Sequence, residues 1–133
     1  MSTRFPIPAR RLAATLAVAL AAIATGCSSG VAHPVDPGPA MDALKTTLDA
    51  WKAGKAPDSL QEASPPIVVQ DLEWLSGAKL ESYEVQGEGV PADANLQVRV
   101  KLNLAAKGKK AQRDAHYLVT TSPALTVFRD MMR

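Results

Sequence analysis

Few residues in this 133-residue chain are of types that do chemistry. There is one cysteine, Cys27, in the stretch Ala24-Thr25-Gly26-Cys27, and there are two histidines, His33 and His116. His116 lies in an alternating stretch with Asp114 two residues before it, so both side chains fall on one face of a strand. A second alternating stretch, Leu96 to Leu104, carries Arg99 and Lys101 on its polar face. Side by side, Arg99, Lys101 and His116 would form a small cationic patch for an anionic ligand. His116 with Asp114 holds the elements of an acid–base dyad. The competing reading is a solvated outer sheet face with cross-strand charge pairs. The sequence favours it, because these polar residues alternate with leucines and valines that need a core. Trp74 is core if buried and a contact surface if exposed. No metal-ligand spacing, phosphate loop or Ser-His-Asp set is present. No catalytic residue, metal or cofactor is therefore expected, and the chain reads as non-enzymatic.

Cys27 stands at the end of a distinctive segment. Arg4, Arg10 and Arg11 precede it with no acidic residue, and Leu12 to Ala24 is apolar apart from Thr15. That run is about 13 residues, short of the roughly 20 a bilayer span needs. A basic n-region, a short apolar h-region and small residues before a cleavage point describe an export signal. Ala24-Thr25-Gly26-Cys27 resembles the box of bacterial lipoproteins, in which small residues and Gly precede an invariant Cys; the family usually has Leu where Ala24 stands. The resemblance implies that residues 1–26 are a signal peptide, and that the Cys27 thiol takes a diacylglycerol and becomes the first residue of the mature chain. Two or three acyl chains anchor stably where one does not. The expected place is then the cell envelope, bound to membrane through lipid. Ser28 after the cysteine resembles outer-membrane sorting in diderm bacteria. Arg10-Arg11 hints at twin-arginine export, but the rest of that motif is missing.

Composition narrows the function classes. Removing residues 1–26 leaves 107, enough for one small domain. Three of the fifteen basic residues precede Cys27, leaving 12 against 13 acidic side chains. A nearly neutral chain gives no electrostatic case for nucleic acid. With Cys27 lipidated no thiol remains, so disulfides, zinc–thiolate sites and a cysteine nucleophile are excluded.

Residues 27–39 read as a tether, rich in Pro and Gly and biased toward extended polyproline II; His33 lies in it. Residues 40–133 read as the domain. Leu44, Leu48 and Trp51 recur at helical spacing within Ala40 to Ala53, and Gly54 is a natural stop. Pro57 to Glu62 suggests one more helical turn, ended by Pro65-Pro66. Ile67-Val68-Val69 is a short strand, and Asp71 to Gly77 is a connecting turn or a continuation of it. Leu80 to Glu88 is the next strand, followed by a loop marked by Gly87, Gly89 and Pro91 to Asn95. Leu96 to Leu104 is the clearest strand. Asp114 to Thr121 returns antiparallel to it, and Leu125 to Asp130 comes last. A two-residue turn at Gly108-Lys109 would set Val98 opposite Val119, Val100 opposite Tyr117, and Lys101 opposite His116.

One helix followed by four to five antiparallel strands must bury the helix on the sheet. This order resembles the cystatin-like and NTF2-like folds, in which a long helix lies in the concave face of a curved sheet. The resemblance covers residues 40–130 and rests on element order. It implies an α+β domain and says little about activity; the chain as a whole is read as an interaction or assembly module, through an envelope protein partner or self-association. A small-ligand module of the NTF2-like type is the alternative, and an enzyme of that type stands behind it. Tyr83-Glu84-Val85-Gln86-Gly87 shares Val and Gly with the inhibitory hairpin of cystatins, but Tyr83 replaces its glutamine and the Pro-Trp of the second hairpin is missing.

Overall fold

The computed structural model describes residues 33–133; residues 1–26, read as a signal peptide, and Cys27 lie outside the described residues. Helix α1 spans Pro37–Lys52. It starts three residues before the expected position because Pro37 takes a first-turn place, where its fixed φ suits the helix and its missing N–H costs nothing. Ala40, Leu44, Leu48 and Trp51 form the buried stripe, with Ala43, Thr47 and Ala50 beside it. Leu44 and Leu48 are fully buried, and each contributes roughly 2 kcal/mol of apolar transfer. Thr47 donates its hydroxyl to the Ala43 carbonyl at 2.7 Å, so no buried polar atom is stranded there. Gly54, at φ +80°, closes the helix, and Lys55 N–H reaches back to the Ala50 carbonyl.

The segment read as tether runs into the domain. Val35 is buried, and its N–H donates to the Asp93 carbonyl at 3.1 Å. Asp36 N–H donates to Thr121 Oγ1 at 3.2 Å. Val35 and Asp36, within the segment read as tether, are thus tied to the body of the domain.

After α1 come a 3-10 turn at Pro57–Glu62, strand β1 (Ile67–Gln70), a one-turn helix α2 (Leu72–Leu75), and strands β2 (Lys79–Ala92), β3 (Asn95–Ala106), β4 (Lys109–Thr120) and β5 (Leu125–Asp130). The ambiguous Asp71 to Gly77 segment is thus a helical turn. It forms because the Asp71 carboxylate accepts from the N–H groups of Glu73 and Trp74, an N-cap in the middle of the connection. The sheet has the order β1-β5-β4-β3-β2. Three of the four strand pairings are antiparallel, but β1 runs parallel to β5, with Ile67 beside Leu125 and Gln70 beside Phe128. The all-antiparallel expectation fails at this edge. Between β1 and β5 the chain makes three antiparallel passes, and it returns with β5 pointing the way β1 points.

The β3–β4 register also differs from the expected one. Lys107 and Gly108 both have positive φ, which places the two-residue turn at these residues rather than at Gly108-Lys109. Val98 therefore pairs with Tyr117, Val100 with Ala115, Arg99 with His116, and Lys101 with Asp114. The slip is two positions along β4, so every side chain keeps its face. Strand β2 runs through the expected Gly87–Gly89 loop, with irregularities between Leu80 and Ser82 and between Gln86 and Val90. Bulges of this kind bend a strand and curl the sheet. At Gly89, φ is +80° and an added Cβ would lie 3.0 Å from Leu96 Cγ, so both backbone and space require glycine.

The architecture is α+β: one main helix packed against a five-stranded, mixed, open and curved sheet. The inner face, covered by α1 and α2, carries Leu96, Val98, Val100, Leu102, Ala115, Tyr117, Val119 and Val127, all buried. Among the described residues no helix is long and apolar enough to cross a membrane.

Candidate functional site

The expected cationic patch lies on the outer face of the sheet. Register puts Arg99 between Gln86 of β2 and His116 of β4, with Asp130 of β5 beyond His116. Lys101 sits between Glu84 and Asp114. Arg99 and His116 are thus brought together. Lys101, one row along, is flanked by two carboxylates, so charge alternates along that row. His116 makes no side-chain hydrogen bond to a carboxylate among the described residues, and Asp114 lies opposite Lys101 instead. Two shallow depressions flank the Arg99–His116 pair, of about 350 and 390 Å³. The larger row-end residues around them are polar or charged, as on a wet sheet face.

The next row along the same face carries three apolar side chains, with Gln97 between two of them. Val90 of β2 pairs with Gln97, Gln97 with Leu118 of β4, and Leu118 with Phe128 of β5. Val90 is 63% exposed and Phe128 41%, and Val68 of the edge strand β1 adds another 39%. Leu118 is half-buried. Within β5, Leu125, Val127 and Arg129 share the inner face, and Phe128 falls opposite them, outside.

Trp74 is buried, as the core alternative requires. It is 6% exposed and stacks on Trp51, with ring centroids 5.4 Å apart and planes at 11°. Its indole N–H donates to the Lys55 carbonyl at 3.0 Å, and that of Trp51 donates to the Ala78 carbonyl at 2.8 Å. The α2 turn presses Trp74 inward, so the exposed side chains of that turn are Leu72 and Leu75. Beside the stacked pair, between residues 52–57 and 77–81, runs an open groove of about 620 Å³. Tyr83 does not line it; its hydroxyl donates to Asp49 Oδ1 at 2.7 Å. Burial and that hydrogen bond push the Tyr83 pKa up to about 12.

A buried polar cluster was not visible in the sequence. Tyr117 donates its hydroxyl to Asp71 Oδ2 at 2.6 Å. Arg129 Nη2 donates to Glu73 Oε1 at 2.7 Å, while Nη1 lies 3.6 Å from Asp71 Oδ2 and makes no hydrogen bond. The guanidinium stands 5.6 Å over the Tyr117 ring, within cation–π range. Asp71 and Arg129 are 2% and 6% exposed. Burial, then the Asp71 carboxylate, raise the Tyr117 pKa far above its ordinary value. Burial opposes the charge on Arg129, but Tyr117, Asp71 and Glu73 outweigh it and hold the guanidinium protonated. The cluster pins α2 to β4 and β5. The one available signal was an arginine at an inward position of a short apolar strand.

Among the described residues no group of His, Cys, Asp and Glu is placed to hold a metal ion. Comparison with protein-family models, curated proteins and solved structures finds no match for this chain.

Proposed function

We propose that this protein is a lipoprotein of the bacterial cell envelope, anchored by lipidated Cys27, whose domain is a non-enzymatic interaction module of cystatin-like or NTF2-like type. The anchor reading is supported by the basic, then apolar, then Ala-Thr-Gly-Cys order of residues 4–27. The fold-type reading is supported by a long helix followed by a curved sheet. The module is proposed to dock an envelope protein, or a second copy of itself, through the outer sheet face. The observation that carries this is the adjoining pair of half-buried Leu118 and exposed Phe128, with exposed Val68 one row along and exposed Val90 across Gln97. Exposed apolar residues that adjoin one another mark contact surfaces better than scattered ones. The inner face offers a small ligand little room, being filled with leucine, valine and Tyr117.

Two experiments on the protein in cells test the two halves. Cys27→Ser is expected to release the chain from membranes; a variant that still sediments with membrane like the parent refutes the anchor. A photo-crosslinking residue at position 128 is expected to capture one dominant partner, or the chain itself. Leu118→Ser is expected to abolish that capture. Loss of no crosslink on this substitution would refute docking through the row.

A further inference from the structure

The chain has eight lysines, and six of them, Lys52, Lys55, Lys79, Lys107, Lys109 and Lys110, gather at one end of the domain. They come from the end of α1, the loop after it, the start of β2, and the β3–β4 hairpin. Lys52, Lys55 and Lys79 line the groove of about 620 Å³ beside the tryptophan pair. Lys79 and Lys110 flank Ala105 in one row of the sheet, and Lys109 pairs with Ala106. Among the described residues the one ion pair that any of the six makes is Lys110 with Glu81, at 3.7 Å and well exposed. Glu81 also lines the groove and Asp58 lies just beyond it, so the end keeps a clear positive excess. The chain as a whole carries no such excess once residues 1–26 are removed, so the charge is sorted in space rather than by composition.

We propose that this lysine-ringed groove binds an anionic polysaccharide, a chain of sugar units bearing carboxylate or phosphate groups. The shape is concave, with lysines on both walls, which suits a chain lying in it better than a flat bilayer. A protein partner is disfavoured by composition. Interfaces between proteins are depleted in lysine and rely on aromatic, Arg or other large anchors. Here the walls are three lysines, Glu81 and small residues; Trp51, Trp74 and Leu80 also line the groove but are buried, so Leu75 is its one exposed large apolar side chain. Single-stranded nucleic acid stacks its bases on exposed aromatic rings, and both indoles are buried against each other. What remains is a hydrophilic polyanion held by flexible point charges.

The orientation of this end rests on the anchor proposed above; the binding does not. The N-terminal segment joins the domain at Val35 beside Asp93, at the start of β3, while the lysines ring the other end of that strand. Twelve-residue β3 is about 40 Å long at ~3.3 Å per residue. The eight steps from Cys27 to Val35 reach only about 25 Å as polyproline II. The basic end then points away from the membrane that holds the lipid, toward polymer lying beyond it.

The test is binding of the full chain, extracted in neutral detergent, to immobilised polygalacturonate and phosphomannan. Binding to at least one is expected, weakening with salt. Each of Lys52→Gln, Lys55→Gln and Lys79→Gln is expected to weaken it by roughly fivefold, on the scale of one lysine at an anionic surface. Lys45→Gln and Lys101→Gln, away from the groove, are expected to leave it unchanged. All five positions are solvent-facing, and an unchanged melting temperature confirms folding. Absence of binding to both glycans overturns the proposal, as does equal loss from the control pair. Polyglutamate, an oligodeoxythymidylate or phosphatidylglycerol vesicles binding as tightly as the better glycan also overturns it. Glycan binding by the Cys27→Ser chain separates this outcome from the fate of the anchor.

Discussion

Replacing Asp71 by alanine removes three things at once. The α2 turn loses its N-cap, worth about 1 kcal/mol. The Tyr117 hydroxyl, bonded to Asp71 Oδ2 at 2.6 Å in a buried place, is left without a partner, at about 1–3 kcal/mol. Arg129 loses one of its two carboxylates but keeps Glu73 at 2.7 Å, so the full 3–5 kcal/mol of a broken buried pair does not apply. These terms share atoms and do not add in full; the expected loss is about 3 kcal/mol, against a typical total of about 5–15. Asp71→Asn keeps a cap oxygen and an acceptor for Tyr117 while removing the charge, and is expected to cost about half as much. The assay is urea unfolding of the full chain followed by tryptophan fluorescence, because Trp74 follows the cap directly. A loss below about 1 kcal/mol for Asp71→Ala would refute the reasoning. Equal losses for the alanine and asparagine variants would refute the division between cap and charge.

Glycine at 89 and at 87 offers a paired comparison. Both have positive φ, but only at Gly89 does an added Cβ meet Leu96 and the Gln97 carbonyl; Gly89→Ala is expected to cost about 2 kcal/mol in urea unfolding and Gly87→Ala about 1. Alkaline stability follows from the only two tyrosines. Unfolded, both ionise near their ordinary value of 10; folded, Tyr83 is pushed up to about 12 and Tyr117 further. Their contribution is complete below pH 10 and is lost as pH rises above it, because only the unfolded chain then releases protons. Melting temperature measured from pH 9 upward is expected to fall from about pH 10. Asp49→Asn is expected to lower the pH at which Tyr83 titrates by absorbance.

Much of the α+β arrangement was legible because periodicity reports burial. Leu44-Leu48-Trp51 and the alternation of Leu96 to Leu104 each identify one buried face without reference to the rest of the chain. The register error at the β3–β4 hairpin left those faces intact, since a slip of two preserves the pleat. It did move Lys101 from His116 to Asp114, which turned an expected cationic patch into alternating charge. The parallel β1–β5 edge was not legible, because four residues of β1 carry no sign of their direction. Nor was the Asp71–Tyr117–Arg129 cluster, whose members are 46 and 12 positions apart. Each of these residues taken alone reads as a surface side chain or a strand aromatic. The gathering of lysines was hidden in the same way, since residues 52, 79 and 110 meet only through the fold.

The parallel edge also sets an order for completing the molecule. Strand β1 comes early in the domain, yet its strand partner among the described residues is β5, which begins 55 residues after β1 ends. Contacts of such separation form late, because a large loop must close first. Until the last nine residues are present, β1 has no neighbour and Asp71 has no arginine. A chain cut short before Leu125 would thus lose its edge strand and half its buried cluster together. The β5 segment thus closes the domain: edge strand and buried cluster are completed by the same few residues.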